Sequence, residues 1–233
     1  VGLVSLSLAT MIERAEFCLA AGIATFQFAL PNWAATSDAE MRRVFAELCG
    51  RFPEARQIFE RLALADDFPE MDRQARRIAS WAENVYVKIP VTNTRREPSL
   101  DLVCRLANSG VKVNVTALLT LEQVRSVASV LAGAAPAYIS VFAGRIADTG
   151  RDPVPVMAAA VELLAPHPNI ELIWASPREL LNIWHADAVG CHIITLTSGL
   201  LSKLALIGKD LSDYSLDTVK MFHGDAVKSG YQL

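Results

Sequence analysis

Val85-Tyr86-Val87-Lys88-Ile89-Pro90-Val91 decides how the rest of the chain is read. The valines and Ile89 alternate with Tyr86 and Lys88, the two-residue period of a pleated strand. One face is wholly apolar and suits a covering layer of helices. The other carries a phenol and an ammonium. An ammonium inside an apolar strand is costly unless it snorkels to solvent, pairs with a carboxylate or does chemistry. An inward lysine at a barrel mouth is placed for the third role, because an amine there can attack a ketone and form a Schiff base.

Working outward, the same grammar recurs. Strands are expected at Leu3–Leu8, Ile23–Leu30, Gln57–Leu64, Val111–Leu118, Ala137–Phe142, Ile170–Ala175 and Cys191–Thr197. Helix starts fall between them. Ser37 with Glu40 and Thr120 with Gln123 read as capping boxes, and Asp67 stands three before Glu70. Asp152-Pro153 and Ser176-Pro177, the latter completed by Glu179, read as N-caps followed by proline at the first helical position. Gly110 and Gly190 read as helix ends. Eight strands alternating with helices predict an α/β fold, a (β/α)8 TIM barrel forming a single domain over residues 1–233. A doubly wound open sheet is the alternative, but no GxGxxG follows the first strand. Past Gly208, Ser215–Ser229 predicts an extra C-terminal helix with Leu216, Val219, Phe222 and Ala226 on one side. It packs on its own barrel or forms an oligomer contact.

Composition narrows the function. The chain has 233 residues, 52% hydrophobic, with 22 Lys+Arg against 25 Asp+Glu and a net charge of −3. That balance argues against a protein that neutralises nucleic-acid phosphates. No stretch approaches the roughly 18–20 apolar residues of a membrane span. Cys18, Cys49, Cys104 and Cys191 show no CxxC or metal spacing and read as reduced core cysteines. With no basic segment ahead of an apolar run, the expected location is cytoplasmic. His167, His185, His192 and His223 form no ligand pattern and read as structural or surface residues, and Asp66-Asp67 reads as helix capping rather than metal binding. No GxSxG elbow occurs.

Strand parity then assigns an interior. Asn114 and Thr116 share the face opposite Val113, Val115 and Ala117. Ser140 and Phe142 share another, and Trp174 and Ser176 a third. Together with Lys88, four consecutive strands are expected to turn functional groups inward near their C-terminal ends, where barrel enzymes do chemistry. Arg145 and Arg178 are candidate phosphate clamps, and Ser176 is expected to open a helix whose N-terminus favours anions. The alternatives are an Arg145 pair with Asp148 or Asp152, and an exposed first-turn Arg178.

These blocks resemble the transaldolase family. Val87-Lys88-Ile89-Pro90-Val91-Thr92 resembles its Schiff-base strand, and Asn114-Val115-Thr116-Ala117 its fifth strand. Ser140-Val141-Phe142-Ala143-Gly144-Arg145-Ile146 resembles its S-x-F-x-G-R-I block, and Ala175-Ser176-Pro177-Arg178 its A-S-x-R block. Gly190 to Leu196 resembles its last strand, so the likeness runs from about Asp66 to the C-terminus. The length is similar to the small transaldolase and fructose-6-phosphate aldolase branch.

The resemblance implies a dihydroxyacetone unit moved between sugar phosphates through a Lys88 Schiff base, as in the pentose phosphate pathway. Thr116 and Asn114 position hydroxyls and water, Ser140 and Phe142 line the site, and Arg145, Ser176 and Arg178 hold phosphate. Phe142 stands where the fructose-6-phosphate aldolases carry tyrosine, which favours transfer over free cleavage. Neither metal nor organic cofactor is expected, since the lysine itself is the electron sink. The partners implied are small-molecule sugar phosphates and, as is common in the small branch, further copies of the chain as a homo-oligomer. The N-terminal quarter departs from the pattern. Leu3–Leu8 has no aspartate, Ala24-Thr25-Phe26-Gln27 stands where the family carries T-T-N-P, and Leu62 falls near the family's strand-three glutamate, with Glu60 two residues away. Weakened or altered activity is the expectation, with a catalytically silent sugar-phosphate-binding barrel as the limiting case.

Overall fold

The structure, a computed structural model, describes residues 2–4, 12, 16, 25–29, 38–51, 56–63 and 65–230. Ser37, Cys18 and the side chain of Cys49, like much of the first two expected strands, lie outside the described residues. The strands are β1 (Gly2–Val4), β2 (Thr25–Ala29), β3 (Arg56–Leu62), β4 (Val85–Pro90), β5 (Val113–Leu118), β6 (Ala137–Val141), β7 (Ile170–Trp174) and β8 (Ile193–Leu196). The helices are α1 (Asp38–Arg51), α2 (Phe68–Ala79), α3 (Leu100–Asn108), α4 (Leu121–Leu131), α5 (Ala143–Ala147), α6 (Val154–Leu164), α7 (Leu181–Ala188), α8 (Ser198–Leu201) and α9 (Leu211–Ser229), with a 3-10 turn at Ser202–Leu206. The chain therefore has an α/β fold on a parallel, curled sheet. Its strands neighbour one another in chain order, and β8 lies beside β1 through Gly2↔Thr195 and Leu3↔Leu196.

The alternation predicted from sequence sorts the core into two bodies. Val85, Val87, Ile89, Val113, Val115, Ile139 and Val141 join Met71, Leu102, Val103, Val124 and Leu131 of the helices in the outer layer. Tyr86, Tyr138, Ile173, Ala175 and Ile193 form a separate inner cluster, edged by Phe142. The phase is wrong for β7. Trp174 is fully buried in the outer layer, its ring 6.3 Å from that of His185 on α7, while Ile173 and Ala175 turn inward. Trp174 is thus no interior group.

Local signals explain several of the helix starts. Thr120 and Gln123 form the reciprocal capping box of α4, and the Glu70 amide donates to Asp67 Oδ1 at 3.0 Å to begin α2. Asp66 does something else. It accepts from the Thr94 amide (2.8 Å) and hydroxyl (2.7 Å) and from Arg95 (3.2 Å), tying the hairpin after β4 to the loop after β3. The Val154 amide donates to Asp152 Oδ1, but α6 begins at Val154 with Pro153 as its cap rather than its first residue. Ser176 opens no helix. It sits at φ 61°, and α7 starts only at Leu181, after Asn182 Oδ1 has accepted the Arg178 and Glu179 amides at 2.8 and 3.3 Å. Gly110 and Gly190, at φ 85° and 74°, do end helices. The C-terminal helix starts earlier than expected, at Leu211, with Asp210 accepting the Ser212 and Asp213 amides. None of its residues is buried, and no described helix is long and apolar enough to cross a membrane.

Candidate active site

Register sets the site. In the pairing of β4 with β5, Lys88 lies opposite Asn114 and Pro90 opposite Thr116; on the other side Leu62 lies opposite Lys88. Lys88 is half-buried in a strand otherwise almost closed to solvent. Asn114 is fully buried and Thr116 and Ser140 nearly so. The Ser140 hydroxyl donates to Asn114 Oδ1 at 2.8 Å, linking β5 to β6 beside the lysine. Beneath them Tyr86 and Tyr138 stack with centroids 4.2 Å apart and form an apolar floor. Among the described residues, the buried Thr116 hydroxyl meets no hydrogen-bond partner. Such a group costs free energy unless a ligand or water satisfies it.

Two backbone distortions shape the mouth. Ala117, directly after Thr116, is at φ 66°, where the pairing of β5 with β6 shifts between Val115 and Leu118. Ser176 is the second, at the end of β7. Strain of this kind clusters where a chain must present groups rather than only pack them. The segment around Ser176 also lies hard against α5. A Cβ on residue 144 would stand 1.6 Å from the Ser176 carbonyl oxygen, so only glycine fits there.

The two arginines of the rim behave differently. The Arg145 guanidinium lies over the Phe142 ring, 5.9 Å from its centroid. Arg178 is the one that pairs with Asp148: Nε donates to Oδ1 at 2.9 Å and Nη2 to Oδ2. That pairing, with Arg145 adding to it, holds the Asp148 carboxyl below the usual carboxylate range. The structure thus gathers Lys88, Asn114, Thr116 and Ser140 into one inward group, with Phe142, Arg145, Ser176 and Arg178 on the adjoining β6–β7 rim. Sequence reasoning missed Asp148 as a partner of Arg178 and the contact that demands Gly144. The glycine inside the S-x-F-x-G-R block was the available signal for the latter. Elsewhere, Cys191 is half-buried, its one S–H shared between the Leu172 and Ile193 carbonyls at 3.4 and 3.5 Å, and desolvation raises its pKa to about 11.

An inward lysine thus stands above a hydrogen-bonded Asn–Ser pair on the parallel, curled sheet of an α/β fold. The chain belongs to the transaldolase/fructose-6-phosphate aldolase family, whose model matches residues 41–232. It is 32% identical over 167 residues to a probable transaldolase of Dehalococcoides mccartyi, covering 71% of this chain and 73% of that one. It is 30% identical over 195 residues to a probable transaldolase of Desulforapulum autotrophicum, covering 83% and 86%. Against a probable transaldolase 2 of Listeria monocytogenes the identity is 36%, over 58% of this chain and 59% of the relative. In fold it is similar to a Coccidioides immitis protein described as a "putative fructose-1,6-biphosphate aldolase", with TM-score 0.61, 12% identity and coverage of 90% and 80%. It is similar also to an Amycolatopsis orientalis BexX/CysO complex chain, with TM-score 0.55, 16% identity and coverage of 86% and 80%.

Proposed function

We propose that the chain is a transaldolase of the pentose phosphate pathway, a single (β/α)8 domain acting in the cytoplasm on sugar phosphates. The observation that carries this reading is the register pairing Lys88 with Asn114 on the neighbouring parallel strand, with Thr116 two residues further toward the C-terminal end of β5. The closing pair of β1 and β8 supports a complete barrel.

In this reading the Lys88 amine attacks the C2 ketone of fructose 6-phosphate. The carbinolamine loses water to give an iminium. The C3–C4 bond then breaks; its electron pair enters the iminium to form an enamine, and the C4 hydroxyl proton leaves through water held by Thr116. An aldose phosphate departs. The enamine of dihydroxyacetone, bound to Lys88 and oriented by Asn114 and Ser140, attacks the aldehyde of an incoming aldose phosphate. Water then hydrolyses the new iminium and frees Lys88. Phe142 walls the site beneath Arg145, and Arg145, Ser176 and Arg178 hold the phosphate dianion.

A catalytically silent sugar-phosphate-binding barrel is the second reading. It is favoured by Leu62, an apolar residue directly across from Lys88. Borohydride reduction with fructose 6-phosphate, followed by mass mapping, separates the two. A dihydroxyacetone adduct on Lys88, absent from Lys88→Ala, supports transfer. Binding without an adduct supports the silent barrel, and an adduct on another lysine overturns the assignment.

The oligomer belongs to the same reading. Leu216, Val219 and Phe222 of α9 are 50–64% exposed, an apolar side fitted to a second copy of the chain. Light scattering that finds only monomer at high concentration would remove this part.

A further inference from the structure

We propose that Asp148 is a built-in rival of the substrate phosphate for the Arg178 fork, so that it sets how strongly the site favours phosphorylated over plain sugars. The inference rests on the reading of Arg145 and Arg178 as phosphate holders, and it concerns a residue with no part in that reading.

The geometry is a two-point match. Arg178 turns Nε and Nη2 to the two oxygens of one carboxylate, the same parallel presentation that a guanidinium offers a phosphate. The donors that suit the ligand are therefore occupied before it arrives. The base of Arg178 is held in place, because its chain passes the glycine at 144 so closely that a Cβ there would stand 3.3 Å from Cγ. Only the head of the side chain is free to change partner. Asp148 follows directly on α5, three residues beyond Arg145, so one short helix carries both a phosphate holder and the rival.

Arg145 and Arg178 both favour the charged carboxylate, so Asp148 is an anion throughout the neutral range. A dianion entering between the arginines must either take Arg178 from Asp148 or bind beside a like charge. Each course weakens its binding. Both partners are about half-exposed, at 48% and 52%, so the pair is weak enough to be opened by a ligand with more charge than a carboxylate. A sugar without phosphate leaves the pair undisturbed.

The test is calorimetric titration of the full chain with inorganic phosphate and with fructose 6-phosphate, using Asp148→Asn and Asp148→Ala. Either substitution is expected to tighten phosphate binding about two- to fivefold, the scale of a well-formed exposed ion pair. The gain should shrink when Arg178→Ala is already present. KM for fructose 6-phosphate should fall with kcat unchanged, while KM for unphosphorylated fructose stays put. Unchanged or weaker phosphate binding in Asp148→Asn, at an unchanged melting temperature, would show Asp148 to be a support for Arg178 and overturn the proposal. Saturable binding by none of the proteins would instead remove the phosphate site itself, and the proposal with it.

Discussion

Ser140 and Asn114 are joined across two strands by a 2.8 Å hydrogen bond between side chains that are 1% and 0% exposed. Ser140→Ala removes the donor and takes one hydrogen bond from the buried Asn114 oxygen. The expected cost is about 1–3 kcal/mol of stability. Under the proposed chemistry, adduct formation on Lys88 should slow as well. Urea unfolding checks the first effect and borohydride trapping the second; an unaltered midpoint would mean that another group replaces the hydroxyl.

Gly144 meets the Ser176 carbonyl so closely that alanine there cannot be accommodated without moving the segment after β7. Overpacking of this kind costs about 1–3 kcal/mol or more. For a chain of this size that is a fall in melting temperature of roughly 3–10 °C. Gly110, with open space where its Cβ would be but a φ of 85°, gives a control. Its replacement by alanine should cost only the backbone strain, and calorimetry of the two variants should rank them in that order.

Burial pushes the Cys191 thiol up to about 11. An ordinary thiol ionises near 8.5, so at pH 8 Cys191 should react with iodoacetamide at least about a hundredfold more slowly than an exposed cysteine in an unstructured peptide. The same shift bears on alkaline stability. Below pH 8.5 the thiol is protonated whether the chain is folded or not, and the favourable contribution is complete. As pH rises toward 11 the unfolded thiol ionises first, so stability is lost across that interval. Peptide mapping of alkylated cysteines and a pH series of melting curves test both statements.

Leu62 stands opposite Lys88, where a proton carrier is useful to Schiff-base chemistry. Leu62→Glu should raise transfer between sugar phosphates by about 10²-fold if the absent carboxylate limits turnover. A steady-state assay with and without an acceptor aldose phosphate measures it. No gain, with the Lys88 adduct still formed, would place the limit elsewhere.

The sequence was most readable where each strand had contrast between its faces. In Val85–Pro90 and Val113–Leu118 apolar and polar residues alternate, so parity gave Lys88, Asn114 and Thr116 a common side, and the register agrees. In β7 the run Ile170-Glu171-Leu172-Ile173-Trp174 is apolar at nearly every step, as befits a strand buried on both faces, and its phase was invisible. Parity counted from such a run sets Trp174 on the interior side, one residue out of phase. Ser176 misled differently. Its side chain and the proline after it spell a helix cap, but Ser176 sits in a left-handed conformation with its carbonyl hard against Gly144, and a tertiary contact of that kind leaves no local pattern. The Arg178–Asp148 pair spans 30 residues and two loops, beyond the reach of any spacing rule.

Trp174 also gives the molecule an optical handle. Its indole is shut away from water in the outer layer, whereas Trp184 is 47% exposed. The two should emit at well-separated wavelengths, the buried one to the blue. Trp174 ends the strand that leads into Ser176 and Arg178. Any rearrangement of that rim by an arriving anion would reach the indole through a single peptide turn, so the protein's own fluorescence can follow ligand entry without an attached dye.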